Sequence, residues 1–338
     1  MKKLITITIF ITFALLSIGC NDKKEILISG ETMGTTYHIK VVTNNSKNIS
    51  SLKAKINQRL DQINRSMSTW ITDSEISRFN DFKNVEDKFE ISDDFLQVMI
   101  VAENLYRLTE GAWDATVNPL VNLWGFGSAG TRNTIPPPET IKRLAWELGF
   151  ENIQIVESRY LMKKKASISL DLGSIAKGYA VDKTAELLEQ NGIKNFLVEI
   201  GGEVYAAGIR KDGKLWKIGI NTPRPHTPPD QVYKAIAIKD KALATSGDYR
   251  TFFEVDGKRY SHIIDPRNGY PVDNGVVSVS VIADTCTFAD GLATALMVMG
   301  PEKGLALVDR LNHVESLIIV RKEGGKLVEY YSRGFVAE

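Results

Sequence analysis

The stretch TCTFADGLATALMVMG, residues 285–300, constrains the fold more than any other. It is apolar almost all round and long enough for a helix, so it has to be buried against other elements. Yet it carries Asp290 and Thr294, four residues apart and therefore on one helical face. A buried carboxylate needs partners. Two oxygen ligands at this spacing suit Mg²⁺, which takes one or two carboxylates together with hydroxyls or carbonyls and keeps positions for water and phosphate. An aspartate simply hydrogen-bonded to a threonine within the helix is the alternative.

The rest of the chain supplies layers to bury that helix. From ISLDL onward the strands NFLVEIGG, LWKIGI, KAIAI, VVSVSVIA and ESLIIV alternate with helical patterns at 174–190, 285–299 and 301–312. Further upstream, EILISGETMGTTYHIKVVT reads as two strands around a turn. Leu52, Ile56, Leu60, Ile63 and Met67 recur at helical spacing, as do Phe95, Val98, Met99, Ala102, Leu105 and Tyr106. The mixture predicts an α+β fold with mostly antiparallel sheets and flanking helices. At 338 residues the chain can bury a sizeable core. Its 42 Lys+Arg against 41 Asp+Glu leave a net charge of +1, without the basic excess of a nucleic-acid footprint.

Gly125, Gly127 and Gly130 satisfy a G-x-G-x-x-G spacing, but TRNTIPPP follows where a dinucleotide fingerprint has to open a helix. A Rossmann site is excluded on that ground, and no G-x-x-x-x-G-K-[ST] phosphate loop occurs. The region NLWGFGSAGTRNTIPPPET reads instead as a long surface loop or flap.

The N-terminus begins with Lys2 and Lys3, an apolar run from Leu4 to Ile18, and Gly19-Cys20. That is the layout of an export signal, too short to span a bilayer. Residues 1–19 are expected to be removed as a lipoprotein signal peptide, with Cys20 lipidated and residues 20–29 as lipidated end and tether ahead of a domain at 30–338. The expected location is the bacterial cell envelope, lipid-anchored to a membrane and facing the periplasm; a plain signal peptide or an uncleaved anchor is the alternative. Cys286 is the one cysteine left, so no intramolecular disulfide is available.

Two further stretches carry chemistry. In SLDLGSIAKGYAVDKTAELL a strand is expected to end at Asp171, Gly173 to turn, and Ser174 to open a helix whose free amides attract anions, with Lys177 as a mobile positive charge beside them. A well-capped helix with a surface lysine is the other reading. In RYSHIIDPRNGYPV, His262 sits near a strand end just before an Asp-Pro turn, where side chains reach into clefts.

Seven segments together resemble the FAD:protein FMN transferases, the ApbE family: ETMGTTYHI, MSTWITDSEISRFN, GAWDATVNPLVNLWGFG, DLGSIAKGYAVD, VEIGGEVYAAG, ATSGDYRTFFEVDGKRYSHIIDPRNGYPV and ADGLATALMVMG. Ala115 and Asn118 depart from the proline and glycine more usual in that family. The resemblance implies a two-lobed, T-fold-like α+β domain with FAD in a cleft between lobes and Mg²⁺ at its pyrophosphate. It implies that Met33 and Trp70 lie against the flavin, that Ala112, Trp113 and Asp114 hold the opposite wall, and that Asp171, Lys177, His262 and Ile264 also bind FAD. Trp70 packed into the core is the alternative for that residue. The implied metal ligands are Asp290 and Thr294, a carbonyl near Ser174 and that of Ala293.

The implied reaction transfers the FMN moiety of FAD to a Ser or Thr hydroxyl of an acceptor protein and releases AMP, with His262 as base or orienting group and Asp290 holding the metal. The acceptor expected from the resemblance is an exported segment of a membrane redox complex. An FAD pyrophosphatase releasing FMN and AMP, or a flavin-binding lipoprotein without catalysis, are the competing readings.

Overall fold

A computed structural model describes residues 23–44, 48–225, 227–228 and 231–336. The signal segment, Cys20 and His226 lie outside the described residues. Strands β1 (Lys24–Thr32) and β2 (Thr35–Thr43) form a hairpin whose two turn residues, Met33 and Gly34, both have positive φ, 50° and 70°. That is the twist a two-residue hairpin needs, and it is unusual for methionine. β1 takes in residues 24–29, the stretch assigned from sequence to the tether.

Helices α1 (Ile49–Met67) and α2 (Glu75–Asp81) come next, then β3 (Phe89–Glu90), α3 (Asp93–Leu108), α4 (Asn118–Leu123) and α5 (Pro138–Glu147). The short strands β4 (Ile153–Val156) and β5 (Tyr160–Lys163) pair with β3 in a small sheet, and α6 (Ala176–Gln190) leads into the second half. There the strands are β6 (Phe196–Ile200), β7 (Glu203–Ala207), β8 (Trp216–Asn221), β9 (Val232–Ile238), β10 (Lys241–Gly247), β11 (Phe252–Val255), β12 (Lys258–Ser261) and β13 (Val276–Ala283). Helix α7 (Cys286–Val308) precedes β14 (Glu315–Arg321) and β15 (Leu327–Tyr331).

The main sheet has eight strands in the order β1-β2-β6-β7-β10-β13-β14-β15, each pairing antiparallel, as the sequence predicts. One face is covered by helices: Ile39, Val198, Val279 and Val281 pack with Leu60 of α1, Phe95 of α3, Val181 of α6 and Leu292 of α7. The other face, with Val204, Leu243, Leu317 and Ile319, is covered by the β8–β9 ribbon through Trp216, Ile218 and Ile236. VVSVSVIA is an interior strand with both faces buried, and a bulge between Val276 and Ser278 sets Val277 on the ribbon side while Val279 faces the helices.

α7 is long and apolar enough to cross a membrane, but it lies against β10, β13 and α6 as the central helix of the larger core. The two helices expected at 285–299 and 301–312 are one run broken at Gly300, whose φ of 76° precedes Pro301. A third apolar cluster, with Trp124 stacked on Phe253 and Tyr260, ties the loop after α4 to the β11–β12 hairpin. Gly125, Gly127 and Gly130 lie between α4 and α5, with no strand before them.

The strand expected at ISLDL does not form. The Asn80 side chain takes the place of a neighbouring strand: its Nδ2 donates to the Leu170 carbonyl at 2.9 Å and its Oδ1 accepts from the Leu170 N–H at 2.6 Å. One residue on, the Asp171 N–H donates to the Ala115 carbonyl at 2.8 Å. The segment is thereby clamped from two sides without a ladder, which delivers the turn at Gly173 to the start of α6.

Candidate active site

Helices α6 and α7 meet at their N-terminal turns. A Cβ on Gly178 would stand 2.3 Å from the Cys286 carbonyl oxygen and 2.8 Å from Asp290 Cβ, so only glycine permits this approach. The close contact lets the Gly178 N–H donate to Asp290 Oδ2 at 3.0 Å. Gly178 lies in the first turn of α6, where a backbone N–H has no intrahelical acceptor, and Asp290 supplies one. In return, Asp182 of α6 accepts from the Cys286 N–H at 2.7 Å, the Thr287 N–H at 2.8 Å and the Thr287 hydroxyl at 2.5 Å. The free amides foreseen as an anion site at the start of α6 are thus partly claimed by the protein's own carboxylate.

Asp290 is buried, and burial pushes its pKa up, opposed by the nearby Lys177 charge and the Gly178 N–H. Thr294, one turn further on the same face, shares a 2.9 Å hydrogen bond with the Ser246 hydroxyl at the end of β10. Ala293 is fully buried inside the hydrogen-bonded run of α7.

Lys177 is not the mobile charge expected from sequence. Its Nζ lies 2.6 Å from Oε1 of Glu203, a carboxylate whose side chain is 3% exposed. Burial lowers the pKa of a lysine, yet Glu203 and Asp290 together hold Lys177 above its ordinary value, so the ammonium is charged. Glu203 Oε2 is buried without a hydrogen-bond partner among the described residues.

A second group of candidate residues starts from the C-terminus of α3. The Thr109 hydroxyl accepts from the Trp113 N–H at 3.1 Å, and buried Trp113 donates from its indole Nε1 to the Ser174 hydroxyl at 2.9 Å. Asp114 turns inward: its Oδ1 accepts from the Thr116 N–H and hydroxyl, both at 2.8 Å, and burial raises its pKa to about 6. Ala112 is buried beside them. Asp171 Oδ1 accepts from the Gly173 N–H at 2.7 Å, and burial raises its pKa although its side chain keeps some access to water.

His262 follows β12 directly. Its N–H and its Nδ1 both face the Thr251 carbonyl, at 3.2 and 3.1 Å. A carbonyl only accepts, so Nδ1 carries the proton and Nε2 keeps the lone pair. Burial lowers its pKa, the Thr251 bond opposes that, and the Lys177 charge lowers it further, which places both groups in one electrostatic environment. Phe126 of the loop after α4 meets the ring edge-on at 6.4 Å. Ile264 is buried and bridges to Pro271 across the turn, while Trp124 Nε1 donates to the Gly269 carbonyl at 2.8 Å and fixes that turn against the loop.

Met33 is half-buried against the large core. Trp70 is 71% exposed in the connection between α1 and α2, so the core-packed alternative does not hold. The structure therefore joins Trp113 to Ser174 and Gly178 to Asp290 by hydrogen bonds, with Lys177 in the electrostatic field of Asp290, Thr294 one turn along α7 and His262 within the field of Lys177. Sequence reasoning missed Asp182, Glu203, Ser246 and Asn80. The carboxylate ending VEIGGE was a signal for Glu203, since a charge opening a buried strand needs a partner.

The donor set fits a hard divalent cation: a buried carboxylate, a threonine hydroxyl and the Ser174 carbonyl, which lies in the turn ahead of α6. No group of three or more His, Cys, Asp or Glu side chains gathers as a metal site among the described residues, so softer transition-metal chemistry has no such cluster there.

The ApbE family model matches residues 33–318. An FAD:protein FMN transferase of Vibrio cholerae is 44% identical over 323 residues, covering 95% of either chain. One of Haemophilus influenzae is 42% identical and covers 96% of this chain and 95% of its own. The solved flavin transferase ApbE from Vibrio cholerae superposes with a TM-score of 0.84 at 42% identity, covering 93% of this chain and 98% of that one.

Proposed function

The chain belongs to the ApbE family and is a flavin transferase, and from that premise we propose that it transfers the FMN moiety of FAD to a Ser or Thr hydroxyl of an acceptor protein. Asp290, Thr294 and the Ser174 carbonyl are the groups that would hold Mg²⁺, which when bound neutralises charge on the phosphates and orients them. Lys177, fixed by Glu203, supplies a cation to the same phosphates. The observation that carries the reading is the Thr251 bond, because it leaves His262 Nε2 unprotonated and able to take the acceptor's proton.

In this reading the acceptor oxygen forms a bond to the FMN-side phosphorus, and the bond from that phosphorus to the bridging oxygen breaks. AMP leaves with the bridging oxygen, and the hydroxyl proton rests on Nε2. Exposed Trp70 and half-buried Met33 are the side chains that meet the flavin, with Ala112, Trp113, Asp114, Asp171 and Ile264 along the cleft. The acceptor is a segment of a membrane redox complex, and Cys20 anchors the enzyme by a lipid to the envelope membrane where it lies.

The test incubates the protein with FAD and a candidate acceptor domain, with and without Mg²⁺, followed by in-gel flavin fluorescence and chromatography of released nucleotides. A fluorescent acceptor band and AMP, both Mg²⁺-dependent, are expected. FMN and AMP with a dark acceptor would replace the transferase by a pyrophosphatase, and neither product would leave a flavin-binding protein.

A further inference from the structure

The lysine at the start of α6 is held from two directions. Its ammonium meets Glu203 at 2.6 Å, and its stem crosses Gly201, where an added Cβ would lie 3.3 Å from Lys177 Cδ and 2.8 Å from Thr35 Cγ2. Gly201 and Gly202 both have positive φ, 60° and 104°, and this turn carries Glu203 off the end of β6 to the foot of the helix. Glu203 is 2% exposed, and its second oxygen has no hydrogen-bond partner among the described residues. A buried carboxylate with one oxygen unpaired is costly to keep, so its one ion pair is the feature that accounts for it.

We propose that Glu203 is a positioning residue for flavin-nucleotide binding: it fixes the Lys177 ammonium at one point of the cleft, where it meets the phosphates of FAD. A free lysine has four rotatable bonds to order when its ligand arrives; a pre-placed one has already lost that freedom. The charge of Glu203 acts through Lys177 and touches no substrate. The inference rests on the flavin-transfer reading above.

The experiment is a double-mutant cycle on FAD affinity, read by flavin fluorescence at fixed Mg²⁺ with the full chain, in wild type, E203Q, K177M and the double variant. E203Q is expected to weaken FAD binding about tenfold, and K177M by at least as much. The double variant is expected to bind no more weakly than K177M alone. A merely structural role would add its loss on top of K177M, and that result, or an E203Q affinity equal to wild type, overturns the proposal. Should E203Q fail to fold, E203D keeps the charge but shortens its reach; it is expected to lose affinity only where Lys177 is present, and wild-type affinity in E203D is equally fatal. Wild-type protein that binds no FAD would instead remove the flavin-transfer reading itself.

Discussion

Asp182 and Asp290 cap each other's helices: Asp182 of α6 accepts the first amides of α7, and Asp290 of α7 accepts an amide in the first turn of α6. The candidate metal ligand is therefore also a helix cap. Removing the opposite cap with D182A is expected to destabilise the fold by about 2 kcal/mol, since two buried amides and a hydroxyl lose their acceptor. Urea unfolding measures this, and D182N, which keeps one acceptor, should fall between the two. An unchanged midpoint in D182A would mean that the cap carries no weight.

The Ser246 hydroxyl shares a hydrogen bond with that of Thr294, a candidate metal ligand. S246A is expected to raise the Mg²⁺ concentration for half-maximal turnover about tenfold, the usual cost of losing a partner behind a metal ligand. The saturating rate should change little. A titration of activity against Mg²⁺ separates the two effects.

The base reading of His262 sets the sign of a pH effect. Burial first, and Lys177 after the opposing Thr251 bond, hold its pKa below the ordinary 6.5, and a base works only when deprotonated. The acid limb of kcat/KM is therefore expected below 6.5, with activity flat through neutrality. K177M removes one depressing charge, so its residual activity should show that limb displaced to higher pH. H262A should abolish transfer while FAD still binds.

Asp114 ionises with more difficulty folded than unfolded, its pKa being raised from 3.8 to about 6 by burial. The folded state thus holds that proton more tightly, so the contribution to stability is complete below 3.8 and is lost as pH rises through about 6. The gap corresponds to about 3 kcal/mol. D114N, which still offers an oxygen to Thr116, should lack this part of the decline between pH 4 and 6 in melting curves taken across that range.

Trp70 presents its ring to solvent. W70A is expected to leave unfolding within about 0.5 kcal/mol of wild type while weakening FAD binding about tenfold, through the loss of a stacking face. Equal FAD affinity in both proteins would take Trp70 out of the flavin site.

Much of the architecture was legible because periodicity is local. Leu52 to Met67 and Phe95 to Leu105 read directly as buried helical stripes, and the spacing of Asp290 and Thr294 put both on one face of α7. The missing parts have partners far along the chain. Asn80 meets Leu170 across 90 positions and Asp182 meets Cys286 across 104, so no window of sequence contains either pair. ISLDL has the composition of a strand, but a side-chain amide satisfies its backbone where a ladder was expected. Lys177 read as mobile because Glu203 joins it only when β7 folds beside α6.

The tight crossing at Gly178 has a consequence for handling the protein. A cation held by Asp290 would bind the folded state alone, because the unfolded chain brings no second ligand to that carboxylate, and each factor of ten in cation excess over its dissociation constant then adds about 1.4 kcal/mol to stability. The concentration of a cation so held would be a folding variable, and a melting temperature quoted without it would describe the buffer as much as the molecule.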